Sequence, residues 1–238
     1  MDFELSEIKN SLVTQVNKNK IVANNLANSN TVGFKKSIPF AEYLKSDELG
    51  RNSLRSNQDL TQGELKKTGN PLDFAITGEG FFTIDKNGEE IYTRNGHFQV
   101  DNEGFLITNN GDTVLGQGGL INVAPKGIEP KEINVGKDGE IFANGERVGK
   151  LLISKFPNDM KFHQIGENSY VPENNRVLPE IVEEPNINQG QLEGSNVNPV
   201  EEMIGMMELK RSFESSQRVL KVLDRVMGKA ATRISKVK

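Results

Sequence analysis

The chain has 238 residues, 35% of them hydrophobic and 26% charged, and a mean hydropathy of -0.52. That is enough for one large or two small domains, with a core that involves only part of the chain. A formal net charge of -4 gives no reason to expect nucleic acid as a partner, and with no cysteine and only His97 and His163, disulfides and thiolate chemistry are excluded and a histidine-rich metal site is not expected.

The opening Met1-Asp2-Phe3-Glu4 lacks the basic and apolar regions of a cleaved secretory signal. No run reaches the ~18 apolar residues of a membrane span. From Asp2 to about Asn28, Leu5, Ile8, Leu12, Val22 and Leu26 follow a three-four spacing, with Gln15 and Asn19 at intervening seam positions. An amphipathic helix is predicted. Asn24, Asn25, Asn28 and Asn30 then surround Leu26 and Ala27, with Gly33 beyond. Asparagine is a poor helix former that tolerates turns, so the helix is predicted to end there.

Residues 35–70 are polar and carry no sustained period, which in isolation reads as loop or disorder. From Leu72 the texture changes to short β-type runs. Phe81–Ile84 and Glu90–Thr93 flank Asn87-Gly88, a strong hairpin signal. His97–Val100 and Phe105–Thr108 flank Asn102-Glu103-Gly104, and further turns are predicted at Asp138-Gly139 and Asn144-Gly145, before an apolar strand from Leu151 to Phe156. The middle of the chain, 71–185, is thus predicted to be an antiparallel β domain, barrel-like or sandwich-like, giving an α+β fold class. Residues 186–198, with Asn186, Asn188 and Gly190, read as a linker returning the chain to its last element.

That element, 199–238, is predicted to be one long helix. Met206, Leu209, Phe213, Ser216, Leu220, Leu223, Met227, Ala230 and Ile234 recur at heptad spacing, and only Ser216 breaks the apolar run. Asn198 is placed to cap it, Pro199 suits its first position, and Glu201 completes a capping box. A helix of ~37 residues is about 55 Å long, more than a small domain can cover. Much of its seam is therefore expected to find a partner outside its own domain.

Catalytic signals are weak. Asp85-Lys86-Asn87-Gly88 and Asp138-Gly139 do not complete a calcium loop and read as turn formers. Gly78-Glu79-Gly80 precedes a strand and lacks the rest of a phosphate loop. Asp73 and Glu79 are the best candidates for a paired-carboxylate site, against the plainer reading of solvated surface acids. His97 reads as a surface or barrel-rim histidine. No enzyme activity, metal or cofactor is expected.

The wording of several stretches resembles the bacterial flagellar rod and hook family. Val22-Ala23-Asn24-Asn25-Leu26-Ala27-Asn28, followed by Thr31-Val32-Gly33-Phe34-Lys35, is similar to the N-terminal signature of that family. The likeness continues through Thr61–Leu65, Gly69–Ile76, Gly78–Phe82 and Tyr92–Gly96, and closes with Leu192–Ile204. Residues 193–199 look most like proximal-rod members, while 68–73 and 92–96 look equally like distal-rod members.

The resemblance implies an axial subunit: a helix and turn over 1–34, an extended arm over 35–70 that orders against neighbouring subunits, and terminal helices that pair in a coiled-coil-like manner and polymerise. Its implied partners are other copies of itself, neighbouring rod proteins and the flagellar type III export apparatus, with assembly in the periplasm. A cell-wall carbohydrate-binding β domain carrying oligomerising helices is the alternative from another class.

Overall fold

A computed structural model describes residues 2–40, 55–124, 132–157, 160–166, 168–174 and 177–235. The centre of the expected arm, 41–54, lies outside the described residues. Two helices and a mostly antiparallel set of strands make the chain α+β. It divides into two compact units, one formed by residues 1–27, 37–57 and 198–238, the other by 28–36 and 58–197.

The first unit is helical. α1 (Asp2–Ala27) and α2 (Pro199–Ser235) pack along one another, running antiparallel because Asn25 meets Glu202 while Gln15 meets Ser212. β1 (Ser37–Phe40) lies against α1 and pairs with β2 (Arg55–Gln58). α2 starts where its cap residues dictate. Asn198 Oδ1 accepts from the Val200 amide at 3.1 Å, and its Nδ2 donates to Glu201 Oε1 at 3.1 Å. Glu201 thus closes on the cap side chain, where a standard capping box would close on the cap backbone.

The second unit is built on β5 (Phe81–Lys86) and β6 (Glu89–Thr93), joined by Asn87-Gly88 with φ of 57° and 88°. Both residues are left-handed, as the favoured two-residue hairpin turn requires. Side chains alternate across β5. Phe82 and Ile84 enter one apolar cluster with Phe74, Ile91, Phe98, Leu106 and Val114. Phe81 enters another with Tyr92, Phe156, Phe162 and Tyr170. Both faces of the central hairpin are therefore covered.

β7 (Phe98–Val100), β8 (Leu106–Thr108) and β9 (Thr113–Gly116) extend the sheet on one side, with β10 (Gly119–Leu120) paired to β9. β15 (Phe162–Ile165) and β16 (Ser169–Pro172) extend it on the other. β11 (Ile133–Val135), β12 (Glu140–Ala143) and β13 (Glu146–Lys150) form a separate three-stranded sheet. One edge of β5 is shared between β14 (Ile153–Lys155), which also pairs with β17 (Glu180–Ile181), and β9. That branching keeps the sheet open, and among the described residues no closed barrel forms.

Several segments without a β signature in the sequence are strands: β1 and β2 in the expected arm, then β3 (Leu65–Lys67), β18 (Asn186–Gln189) and β19 (Gln191–Glu193). β3 pairs with β19, and β4 (Phe74–Thr77) with β18. The stretch read as a return linker is thereby held in the β unit, with Ile187 and Leu192 buried.

Candidate functional site

α1 and α2 carry the predicted seam positions. Ile8, Leu12, Val22 and Leu26 on α1, and Met206, Leu209, Phe213, Leu220 and Leu223 on α2, are all half-buried. Leu5, Met227 and Ile234 stand on the helices at positions whose side chains lie outside the described residues. Two of the three polar interruptions, Gln15 and Ser216, meet: Gln15 Nε2 donates to Ser212 Oγ at 3.1 Å and to Ser216 Oγ at 3.4 Å. Beside them Val16, Asn19, Met206, Leu209 and Phe213 line a groove of about 260 Å³. The rest of α2 leaves apolar side chains in solvent, with Val222 57% and Val226 58% exposed.

The family-signature asparagines do different work. Asn25 is buried, and its amide mimics a backbone pair: Oδ1 accepts from the Ser37 amide and Nδ2 donates to the Ser37 carbonyl, both at 2.9 Å. Its Nδ2 also reaches Glu202 Oε2 at 3.3 Å. One side chain thus ties α1 to β1 and to the first turn of α2. Asn24 and Ala27 are exposed, and Asn28 accepts from Thr31 Oγ1 at 3.1 Å. Phe34 is fully buried. Gly33, at φ 69°, donates its amide to the Glu193 carbonyl at 2.7 Å, and a Cβ there would strike the Asn95 backbone.

Around Glu193 the β unit holds a buried charge cluster that residue-type reasoning missed. Lys35 Nζ donates to Glu193 Oε1 at 2.6 Å and to the Thr61 carbonyl at 2.6 Å. The Gly63 amide reaches the same carboxylate oxygen at 2.9 Å. Arg94 Nη1 donates to Oε2 at 3.1 Å, its Nη2 to the Gly78 carbonyl at 2.8 Å, and its guanidinium lies over the Phe81 ring at 5.2 Å. The Lys35 amide donates to the Tyr170 hydroxyl at 2.9 Å. Burial pushes Lys35 and Arg94 below their usual values, and the Glu193 charge works against that push. Two cations on one carboxylate, with further backbone partners, is the arrangement that makes buried charge tolerable.

The signal for this cluster lay in the wording of the motifs. Lys35 closes the first signature, Arg94 sits in Tyr92–Gly96, and Glu193 opens the last stretch. Asp73 and Glu79 form no pair: Asp73 binds His97 Nδ1 and Asn70, while Glu79 is exposed and bridged to Lys155 at 2.6 Å. His97 is a half-buried partner of Asp73 and lies in no barrel rim. Asp85 Oδ1 accepts from the Gly88 amide at 2.7 Å, as a turn former does.

Three family models match the chain, and each covers one member of the cluster. "Flagella basal body rod protein" spans residues 12–35, with Lys35. "Flagellar hook protein FlgE/F/G D1 domain" spans 75–143, with Arg94. "Flagellar basal body rod FlgEFG protein C-terminal" spans 188–233, with Glu193. Among curated relatives, the flagellar basal-body rod protein FlgF of Caulobacter vibrioides is 37% identical over 229 residues, covering 91% of each chain. FlgG of Buchnera aphidicola subsp. Baizongia pistaciae is 33% identical over 248 residues, covering 90% of this chain and 93% of the relative. FlgG of Bacillus subtilis is 30% identical over 239 residues, covering 87% and 89%. With its start, its β unit and its last helix all matched, the chain belongs to the flagellar basal-body rod FlgE/F/G family.

Proposed function

We propose that the chain is a structural subunit of the flagellar basal-body rod, of the proximal, FlgF-like kind, acting by assembly and without turnover. The observation that carries this reading is the helix pair, whose shared seam is only half-buried and whose remaining apolar face on α2 is uncovered. A single copy leaves that face in water, and burial between copies would recover ~25 cal/mol per Å². A heterologous contact repeated by a rotation that does not close generates a helical tube.

In this reading α1 and α2 pair in a coiled-coil-like manner and supply the contacts that build the tube, and the β unit is sandwich-like. The arm around 41–54 orders against a neighbour. Subunits leave the cytoplasm through the flagellar type III apparatus and assemble in the periplasm with other copies and neighbouring rod proteins. There they transmit motor torque. The FlgG relatives, at similar coverage, favour a distal-rod position as the second reading.

A small tag inserted at Asn109-Asn110, an exposed turn between β8 and β9, tests both. Cryo-electron microscopy of hook-basal bodies should show extra density on the membrane-proximal rod; density farther out would favour the distal position. No density from a stable, functional tagged chain would remove it from the axis.

A further inference from the structure

The chain has six methionines and no cysteine, and three of the methionines fall within one short stretch of α2: Met203, Met206 and Met207. Met203 is 45% exposed and Met207 54%. Four residues apart, they share one helix face, together with exposed Val200 and Ile204. Met206 instead lines the groove beside Phe213, and Met160 packs against the cluster of Phe81 and Phe162. Among the methionines whose side chains are described, Met203 and Met207 are exposed and stand side by side at the start of the long helix, while Met160 and Met206 are partly buried.

We propose that Met203 and Met207 form a paired oxidation site, at which hydroperoxides convert an apolar patch of α2 into a polar one. A thioether lone pair attacks one oxygen of hydrogen peroxide, so that an S–O bond forms and the O–O bond breaks. The departing hydroxide takes the proton from the sulfur-bound oxygen and leaves as water. Sulfur loses two electrons and the peroxide gains them. Methionine sulfoxide is polar, disrupts apolar contacts and is reversible by reductases. The modification stands on exposure alone; its effect on assembly rests on the reading of α2 as a contact between copies.

Peptide mass mapping of the full chain over a time course in dilute hydrogen peroxide tests the site. Met203 and Met207 are expected to gain oxygen about tenfold faster than Met160 and Met206. Equal rates, or faster oxidation at Met160 or Met206, overturn the proposal. The consequence is read in cells, where Met203→Gln with Met207→Gln, imitating the polar sulfoxide, is expected to lower the yield of intact hook-basal bodies by about tenfold, and leucine at both positions to restore it. If the glutamine pair assembles normally while the tagged chain is found in the rod, the switch is overturned. If the chain is absent from the rod, the assembly reading fails, and the oxidation rates still decide the site.

Discussion

Glu193 is the residue on which most in the β unit depends. Removing its carboxylate leaves Lys35 and Arg94 buried without their counter-charge, so Glu193→Ala should cost about 3–5 kcal/mol, read as a fall in the urea midpoint of the full chain. Lys155→Ala, which breaks the solvent-exposed bridge to Glu79, should leave that midpoint unchanged. Alkaline pH offers a second test. Burial, with help from Glu90, pushes the Tyr92 phenol from 10.0 up to about 12, and burial also raises Tyr170. Above pH 10 the unfolded phenol has lost a proton that the folded one keeps. Stability from Tyr92 is therefore full below pH 10 and falls as pH rises toward about 12. Lys35, pushed down chiefly by burial, acts in the opposite sense below 10.5. The informative comparison is thus native chain against Tyr92→Phe, whose midpoint should fall less between about pH 9 and about pH 11. None of this cluster was legible from residue type, because lysine, arginine and glutamate are read as surface and Lys35 meets a partner 158 positions away. Only its placement inside recognisable wording pointed to it.

Among the elements, those with strong local chemistry were the readable ones. α2 announces itself through Asn198, Pro199 and its heptad, and Asn198→Ala should cost about 1 kcal/mol, seen as faster amide exchange in the first turn of α2. The hairpins at Asn87-Gly88 and Asn144-Gly145 were legible because both asparagines adopt positive φ, 57° and 52°, which few other residues accept. β18 and β19 were not. Each contributes only one deeply buried apolar side chain, Ile187 and Leu192, amid turn-forming residues. Their strand character comes from partners at β4 and β3, far away in sequence. The helix seam shows a subtler device. Gln15 and the serines opposite it are poor choices for burial but give the helices one register in which the polar groups meet. Gln15→Leu should therefore raise helix-pair stability while permitting slipped registers, detectable by disulfide trapping between cysteines introduced at neighbouring seam positions.

For the whole molecule, the α+β class was readable because helical and strand periods occupy separate stretches of the chain. The extent of the β unit was not, since it draws on residues 28–36 and 58–70 before the obvious strands and on 186–197 after them. A fragment limited to 71–185 lacks β3, β18 and β19 together with Lys35 and Glu193, and should fail to give a cooperative unfolding transition, whereas 28–197 contains every described member of the unit. The convergence on Glu193 also sets a clock. A chain made from its N-terminus exposes Lys35 and Arg94 long before residue 193 exists, and at ~5–20 residues per second that wait lasts several seconds or more. Until the late carboxylate arrives, two cations and the unmatched edges of β3 and β4 have nothing to close upon. The order of synthesis therefore makes Glu193 one of the last parts of the β unit to arrive, and the unit is expected to close only once the chain has been made past it.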